Sequence, residues 1–288
     1  MREGINKVDI QGIISEINIR KIERDTGNFI GGQVIVEVEN EKGISLVPVE
    51  VFSKDVTKAG TPNKFYASIE RLGEMKSISS SSREEATKIA FSGARLNENL
   101  FKPNDRDEVI RSTRVNGRFF DVAKVSEYKP KAKFQVEGFI IKMEPEIVND
   151  AETDRLKIQV ATVGYADKVE ILDFTTENGQ VSEYIRQHWN EKDTVSLMGY
   201  VKFTSQLVEA ESKEATFGEV EPTTYTRTIK EFIVVSGSAE PKDEDEAYTE
   251  NEIKTGLTER NKRKEEVLAK AREKALTKKA PATDDWTF

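Results

Sequence analysis

Arginine and aromatic residues occur together in one short stretch of the sequence, between residues 111 and 120. The stretch contains Arg111, Arg114, Arg118, Phe119 and Phe120. An Asn-Gly pair at 116–117 predicts a turn within it. Guanidinium groups neutralise phosphate charge, and flat aromatic rings stack on nucleobases. Residues of these two types in this pattern are therefore candidates for contact with the backbone and the bases of a single-stranded nucleic acid.

The same two residue types recur on neighbouring predicted strands and where the two halves of the sequence join. These further candidates are Phe52, Arg95, Phe101, Lys102, Tyr128, Lys129 and Lys131. Phe52 alternates with Val49 and Val51, so we expect its ring to face away from the core. Residues 102–133 carry nine Lys and Arg against five Asp and Glu, so cations cluster there although the whole chain has a net charge of −8.

Each candidate has a simpler alternative. Aromatic side chains usually pack in a core, which we expect for Phe91, Phe139 and Phe203. Phe119 and Phe120 are adjacent, so a regular strand would point one ring into the core and leave the other free. Cations usually form ordinary solvated surface, but their clustering in an otherwise acidic chain favours a role in binding.

The acidic net charge is unevenly distributed along the chain. Residues 1–142 carry 24 Lys and Arg against 21 Asp and Glu, residues 143–237 carry 9 against 18, and residues 238–288 carry 11 against 13. A net negative charge usually argues against a nucleic-acid partner, but the first segment is basic and could still bind one. The acidic second segment is expected to extend the contact weakly or to support contacts between protein chains, including self-association.

Composition argues against an enzyme. The chain has no Cys and one His, which excludes disulfides, thiolate zinc sites and Cys nucleophiles. A catalytic triad would depend on His188, which we expect on the surface of a helix. The glycines at 27, 31 and 32 do not match a phosphate-binding loop and are interpreted as a flexible loop between two strands. We therefore expect no cofactor and no metal. Without a long apolar run, we also expect a cytoplasmic protein with no membrane partner.

Two halves of the sequence repeat one order of predicted elements. In the first half, strands are predicted at 7–14, 33–39, 44–52, 88–96 and 109–123, with a helix at 62–75. In the second half, strands are predicted at 134–142, 155–163, 168–175, 194–203 and 228–236, with a helix at 180–190. Gly12 and Gly138 lie 126 residues apart at the same place in the repeat, and Gly93 and Gly199 also correspond.

Three strands, a helix and two strands are the order of an OB-fold. The predicted fold class is therefore mainly β, with two OB-fold-like five-stranded barrels in tandem, each with one helix between strands three and four. A pair of unrelated β-sandwich domains is the alternative. The predicted domains are residues 1–130, which would bind nucleic acid, residues 131–237, and a charged linker with a terminal tip at 238–288.

The last segment, residues 238–288, differs in composition from the two halves before it. Its acidic run at 243–246 lacks the spacing of a calcium loop and is interpreted as solvated linker. Residues 258–279 favour a solvated helix with too few apolar positions to build a core, so the tail is expected to be disordered or partly helical. The chain ends in Asp284, Asp285, Trp286, Thr287 and Phe288.

The OB-like pattern and this ending resemble the single-stranded DNA-binding proteins of bacteriophages and bacteria. The bacterial family commonly ends in Asp-Asp-Ile-Pro-Phe, so Asp284, Asp285 and Phe288 match, whereas Trp286 and Thr287 depart. Bacterial members have one OB unit and a Gly/Gln-rich linker, so two units and a charged linker resemble a phage-type member.

This resemblance implies binding of single-stranded DNA with little sequence preference during DNA replication, recombination and repair, in the host cytoplasm if the protein is phage-encoded. It also implies that the tip recruits a replication or recombination protein, such as a polymerase, helicase or primase, and competes with DNA. The alternatives are a β-rich phage structural or assembly protein and, ranked last, a metal-dependent nuclease or recombination accessory enzyme.

Overall fold

The first half of the chain, residues 1–130, is built mainly from strands. The computed structural model describes residues 1–103, 106–124, 127–209 and 224–279. In the first half these form β1 (Asn6–Arg24), β2 (Gly27–Asn40), β3 (Gly43–Lys54), α1 (Lys64–Gly73), β4 (Lys88–Phe101), β5 (Ile110–Asn116) and β6 (Phe119–Val122). The strand predicted at 109–123 is divided in two at the predicted Asn-Gly turn.

The second half, residues 131–237, repeats this order. Its elements are β7 (Lys131–Val148), β8 (Ala151–Val163), β9 (Val169–Thr176), α2 (Gly179–His188), β10 (Thr194–Glu209) and β11 (Thr224–Gly237), and a long helix follows, α3 (Glu250–Lys279). The prediction of a mainly β protein is confirmed. None of the helices in the described ranges is long and apolar enough to cross a membrane.

Strand pairing returns to its starting strand in each half. In the first half β1 pairs with β2, β2 with β3, β3 in parallel with β5, β5 with β4, and β4 again with β1. The second half has the same order of pairing: β7 pairs with β8, β8 with β9, β9 in parallel with β11, β11 with β10, and β10 again with β7. Antiparallel pairing of β1 with β7 joins the halves into one 11-stranded sheet.

A shared irregularity supports the internal repeat. The register of β1 on β2 shifts between Ile14 and Glu16, and the register of β7 on β8 shifts between Ile140 and Lys142. Both bulges lie two residues beyond the paired glycines of the sequence, Gly12 and Gly138. A bulge bends its strand, so both halves bend their first strand at the same place.

Alternating apolar residues fill the interior as the sequence predicts. The valines that recur with period two are fully buried on β2 and nearly so on β3, namely Val34, Val36, Val38, Val47, Val49 and Val51. In the second half Phe134, Phe174 and Phe232 form a cluster with ring centroids 5.1 to 6.4 Å apart. The three rings expected in the core, Phe91, Phe139 and Phe203, are buried. One apolar cluster therefore extends through both halves.

The segment interpreted as a flexible glycine loop is instead part of a hairpin. β1 continues to Arg24 and β2 begins at Gly27, which has a φ of +120°. Asp25 and Thr26 therefore make a two-residue turn, and all three glycines lie inside β2. A side chain at Gly32 would place its Cβ 1.8 Å from the backbone oxygen of Asn18. Close approach of two strands, not flexibility, explains this glycine.

The C-terminal segment is docked on the second half through residues that precede the stretch expected to form a solvated helix, 258–279. Tyr248 and Ile253 are buried against Phe139, Val163 and Val169. Thr249 and Glu252 cap the start of α3 reciprocally: the Thr249 backbone N–H donates to Glu252 Oε2 at 2.9 Å, and the Glu252 N–H donates to Thr249 Oγ1 at 3.3 Å. The hydrogen bonds from Thr249 lower the pKa of Glu252.

An ion pair connects α3 to the first half. The Arg260 guanidinium donates to Glu98 of β4 through Nε at 2.8 and 3.0 Å and through Nη2 at 2.5 Å. The two side chains are 9% and 2% exposed. Helix α3 therefore contacts both halves, through Ile253 on the second and Arg260 on the first.

Tyr248 gives this docking a pH dependence. Burial, reinforced by the Glu137 carboxylate 3.3 Å from the hydroxyl, raises the pKa of Tyr248 above its ordinary value of 10.0. The neutral phenol is favoured in the folded state, so its contribution to stability is complete below pH 10 and is lost as the pH rises beyond it. Thermal unfolding measured below and above pH 10 tests this assignment. The midpoint temperature should fall less with rising pH for Tyr248→Phe than for the unmodified protein. Equal losses would contradict this assignment.

Candidate functional site

A groove opens in the first half where β3 and the β5–β6 segment separate. The parallel pairing of β3 with β5 ends at Glu50 and Asn116, and β6 then pairs with β4, with Phe119 opposite Ser92. The groove encloses about 770 Å³. Its lining residues are Gly32, Gln33, Glu50, Val51, Phe52, Phe65, Arg114, Asn116, Gly117, Arg118 and Phe119. Four of the residues predicted to bind nucleic acid meet here: Phe52, Arg114, Arg118 and Phe119.

One side of the groove is an aromatic platform. Phe52 is 59% exposed, and its ring stacks on that of Phe29 with centroids 5.6 Å apart and planes at 19°. Gly31 lies opposite Phe52 in the β2–β3 pairing, and a Cβ at this position would come within 2.7 Å of the Phe52 ring. The absence of a side chain at Gly31 therefore lets the ring lie flat across β2.

Two cations flank this platform. The Arg24 guanidinium carbon lies 5.5 Å from the centre of the Phe29 ring, and Lys54 Nζ lies 5.8 Å from it. Both distances are within the range of cation–π contacts. The platform therefore combines flat apolar faces with positive charge.

The other side of the groove carries an exposed ring and a free cation. Phe119 is 68% exposed, and Arg118 beside it is exposed and makes no ion pair or hydrogen bond with any described residue. Phe120 points to the opposite face and packs on Phe91, with ring centroids 5.5 Å apart. Phe120 therefore contributes to the core side of β6 and does not line the groove.

Arg114 lies in the groove with a partner already in place. Its Nη1 is 2.6 Å from Glu50 Oε1, and the two side chains are 42% and 24% exposed. With its amide oxygen turned toward Arg114, Asn99 accepts two more hydrogen bonds, at 3.2 Å from Nε and 2.8 Å from Nη2. The guanidinium is thus held from two sides.

Three other predicted cations serve as structural ties. Arg111 donates two hydrogen bonds to Asp173 of β9, at 2.5 and 2.7 Å, and so connects the two halves. Arg95 pairs with Glu3 at 2.6 Å. Lys102, whose side chain is 14% exposed, lies 3.5 Å from Asp107. Each of the three pairs with a carboxylate, and none of the three lines the groove. Phe101, 39% exposed at the end of β4, does not line it either.

The candidates near the join between the halves lie outside the groove. Tyr128 is half-buried beneath Lys88, whose Nζ is 4.9 Å from the ring centre, and burial raises the pKa of the Tyr128 hydroxyl. The backbone N–H of Lys129 donates to the Gln11 side chain at 3.2 Å. Lys131 borders a separate cavity that also contains acidic side chains, Asp9, Asp121 and Glu127.

Sequence analysis missed Phe29, Phe65, Arg24 and Lys54. The first of these lies in the segment interpreted as a loop. Two signals of a hairpin with an outward-facing ring were present: a polar pair, Asp25-Thr26, followed by Gly27, and the spacing of Phe29 to Gly31. Phe65 faces the groove from α1, although its helical spacing with Ile69 and Leu72 indicates core.

In the described part of the second half, the rings do not form a matching set along a groove. Phe174 is buried at 1% exposure. At the end of β9, Glu177 is bound by Lys42 at 2.7 Å and by the Tyr200 hydroxyl at 3.3 Å. His188 is exposed and stacks on Tyr184 with centroids 4.3 Å apart. No group of three His, Asp or Glu that could hold a metal ion occurs in the described part of the chain.

The chain matches one family model and is similar in fold to several solved structures. Residues 4–270 match the family model described as YorF. The wild-type single-stranded DNA binding protein from Thermus aquaticus aligns with a TM-score of 0.52 and 11% identity over 86% of this chain and 98% of that one. A deletion mutant of the same protein aligns with a TM-score of 0.50 and 10% identity, over 84% of this chain and 98% of that one. The comparison with curated protein sequences gives no match. At this identity the likeness concerns the fold.

Proposed function

The chain belongs to the YorF family, and we propose that it binds single-stranded DNA through the groove. One observation carries this proposal: the groove places two exposed rings, Phe52 and Phe119, beside Arg118, a cation that pairs with none of the described residues. Rings and cations together are what a single strand requires, because the bases offer flat faces and the backbone carries negative charge. The similarity to the Thermus aquaticus protein supports the proposal at the level of the fold.

The proposed mechanism is stacking combined with phosphate neutralisation. Bases stack on the Phe29–Phe52 platform and on Phe119, while Arg118, Arg24 and Lys54 lie near the phosphates. Every base has an aromatic face, so such contacts discriminate little between sequences. A duplex keeps its bases stacked on one another and cannot offer them to these rings without unpairing.

Further proposals concern architecture and role. We propose that each closed cycle of strand pairing is an OB-type barrel, with the first barrel holding DNA and the second acting as support. We also propose that the protein is not an enzyme, and that it protects single strands during replication, recombination and repair in the cytoplasm, of the host cell if it is phage-encoded.

The C-terminal tip, residues 284–288, lies outside the described residues. We propose that it recruits a replication or recombination partner. The support is the sequence resemblance of Asp284, Asp285 and Phe288 to the acidic tip of the bacterial single-stranded DNA-binding family.

Titration with an oligo-dT strand at increasing salt tests the binding proposal. We expect binding at low salt, and log Kobs should fall linearly with log salt concentration with a slope of about −0.7 per phosphate contact. A duplex of the same length is the control and should bind more weakly. No binding of oligo-dT at low salt would contradict the proposal, and stable self-association without binding would favour a structural role.

A further inference from the structure

A carboxylate lies inside a groove that otherwise suits an anion. Glu50 is the one acidic residue among those that line the described groove. Its Oε1 is 2.6 Å from Arg114 Nη1 and accepts a hydrogen bond from Gln33 Nε2 at 3.3 Å. Glu50 therefore occupies the position on Arg114 that a phosphate oxygen would take.

The fold does not need Glu50 to orient Arg114. With its amide oxygen turned toward Arg114, Asn99 accepts hydrogen bonds from both Nε and Nη2 of the same guanidinium. Arg114 also lies on a paired strand, opposite Asn97. Both members of the ion pair are partly exposed, so the pair adds little to stability. An exposed pair of small stabilising value inside a binding groove suggests a role in binding.

We propose that Glu50 is an internal competitor that takes the place of a phosphate on Arg114 in the empty groove and releases it when the strand binds. This inference rests on the proposed function. A phosphate that approaches Arg114 must displace a negative charge already present, so the carboxylate weakens binding and favours release. Of the two arginines in the groove, Arg118 is ready for contact, and Arg114 becomes available only when its pair with Glu50 opens.

Glu50→Gln tests this inference by removing the charge while keeping the shape. We expect it to bind oligo-dT about fivefold more tightly at low salt, the upper value for an exposed ion pair. The log–log salt slope should stay nearly the same, because the strand contacts Arg114 in both proteins once Glu50 has released it. Glu144→Gln is the matched control: it removes the same charge from an exposed pair with Lys142 in the second half, and its affinity should change less than twofold.

A second substitution separates competition from positioning. Arg114→Met should cost little affinity in the unmodified protein, because there the phosphate contact of Arg114 is offset by the loss of its pair with Glu50. The same substitution should cost about fivefold in the Glu50→Gln background, where no pair has to open. Equal or weaker binding by Glu50→Gln, with the unmodified protein still binding, overturns the inference alone. Absence of binding by every variant overturns the proposed function and this inference with it.

Discussion

Replacing both Phe52 and Phe119 with alanine is expected to weaken binding of oligo-dT by about 30-fold or more. Each stacked base contributes about 1–3 kcal/mol, so loss of two rings removes at least ~2 kcal/mol. The rings are 59% and 68% exposed, so their removal should leave thermal unfolding almost unchanged. Fluorescence anisotropy of a labelled oligo-dT at fixed salt measures the change in affinity.

Tyr165 provides the matched control for this double substitution. It is an aromatic residue of the second half with 77% exposure, and it does not line the groove. Tyr165→Ala should therefore leave the affinity for oligo-dT unchanged. A similar loss for Tyr165→Ala and for the double variant would show that the groove is not the site of stacking.

Arg260→Met is expected to destabilise the protein by about 3–5 kcal/mol, the cost of leaving a buried charge without its partner. Glu98 is 2% exposed and receives three hydrogen bonds from Arg260. Without the guanidinium, the Glu98 carboxylate must stay buried and unpaired, or helix α3 must leave β4. The shift of the urea unfolding midpoint measures the effect.

Two further variants define the origin of this loss. Lys262→Met removes a cation two positions further along α3 whose pair with Glu259 is exposed, and it should cost less than about 1 kcal/mol. Glu98→Met combined with Arg260→Met should recover much of the stability, because no charge remains buried. If Arg260→Met costs no more than Lys262→Met, the contact between α3 and β4 does not hold the fold together.

Local alternation was sufficient to predict most of the elements. Val34, Val36 and Val38 recur with period two, and this spacing alone places β2 and its buried face. Alternation fails where a side chain is missing, so Gly31 and Gly32 concealed the first residues of strand β2, which begins at Gly27. It also fails where few apolar residues dock a segment: Tyr248 and Ile253 are five positions apart in a highly charged stretch, and only the tertiary contacts reveal their burial.

The types of residue in the site could be predicted from the sequence, but the ion pairs that they form could not. The cations predicted to bind, Arg95 and those of the cluster at 102–133, are divided by the fold. Arg118 pairs with no described residue, whereas Arg95 and Arg111 pair with Glu3 and Asp173. These carboxylates lie 92 and 62 positions away in the chain. No local pattern reports such distant partners, so charge clustering overestimates the number of cations available to a ligand.

The contact between Glu98 and Arg260 also sets an order of events during synthesis. The two residues are 162 positions apart in the chain. A ribosome adds about 5–20 residues per second, so Arg260 is made roughly 8 to 30 s after Glu98. During that interval β4, which pairs with both β5 and β6 of the groove, carries an unpaired carboxylate. The first half of a nascent chain therefore waits for α3 before its groove is fully supported.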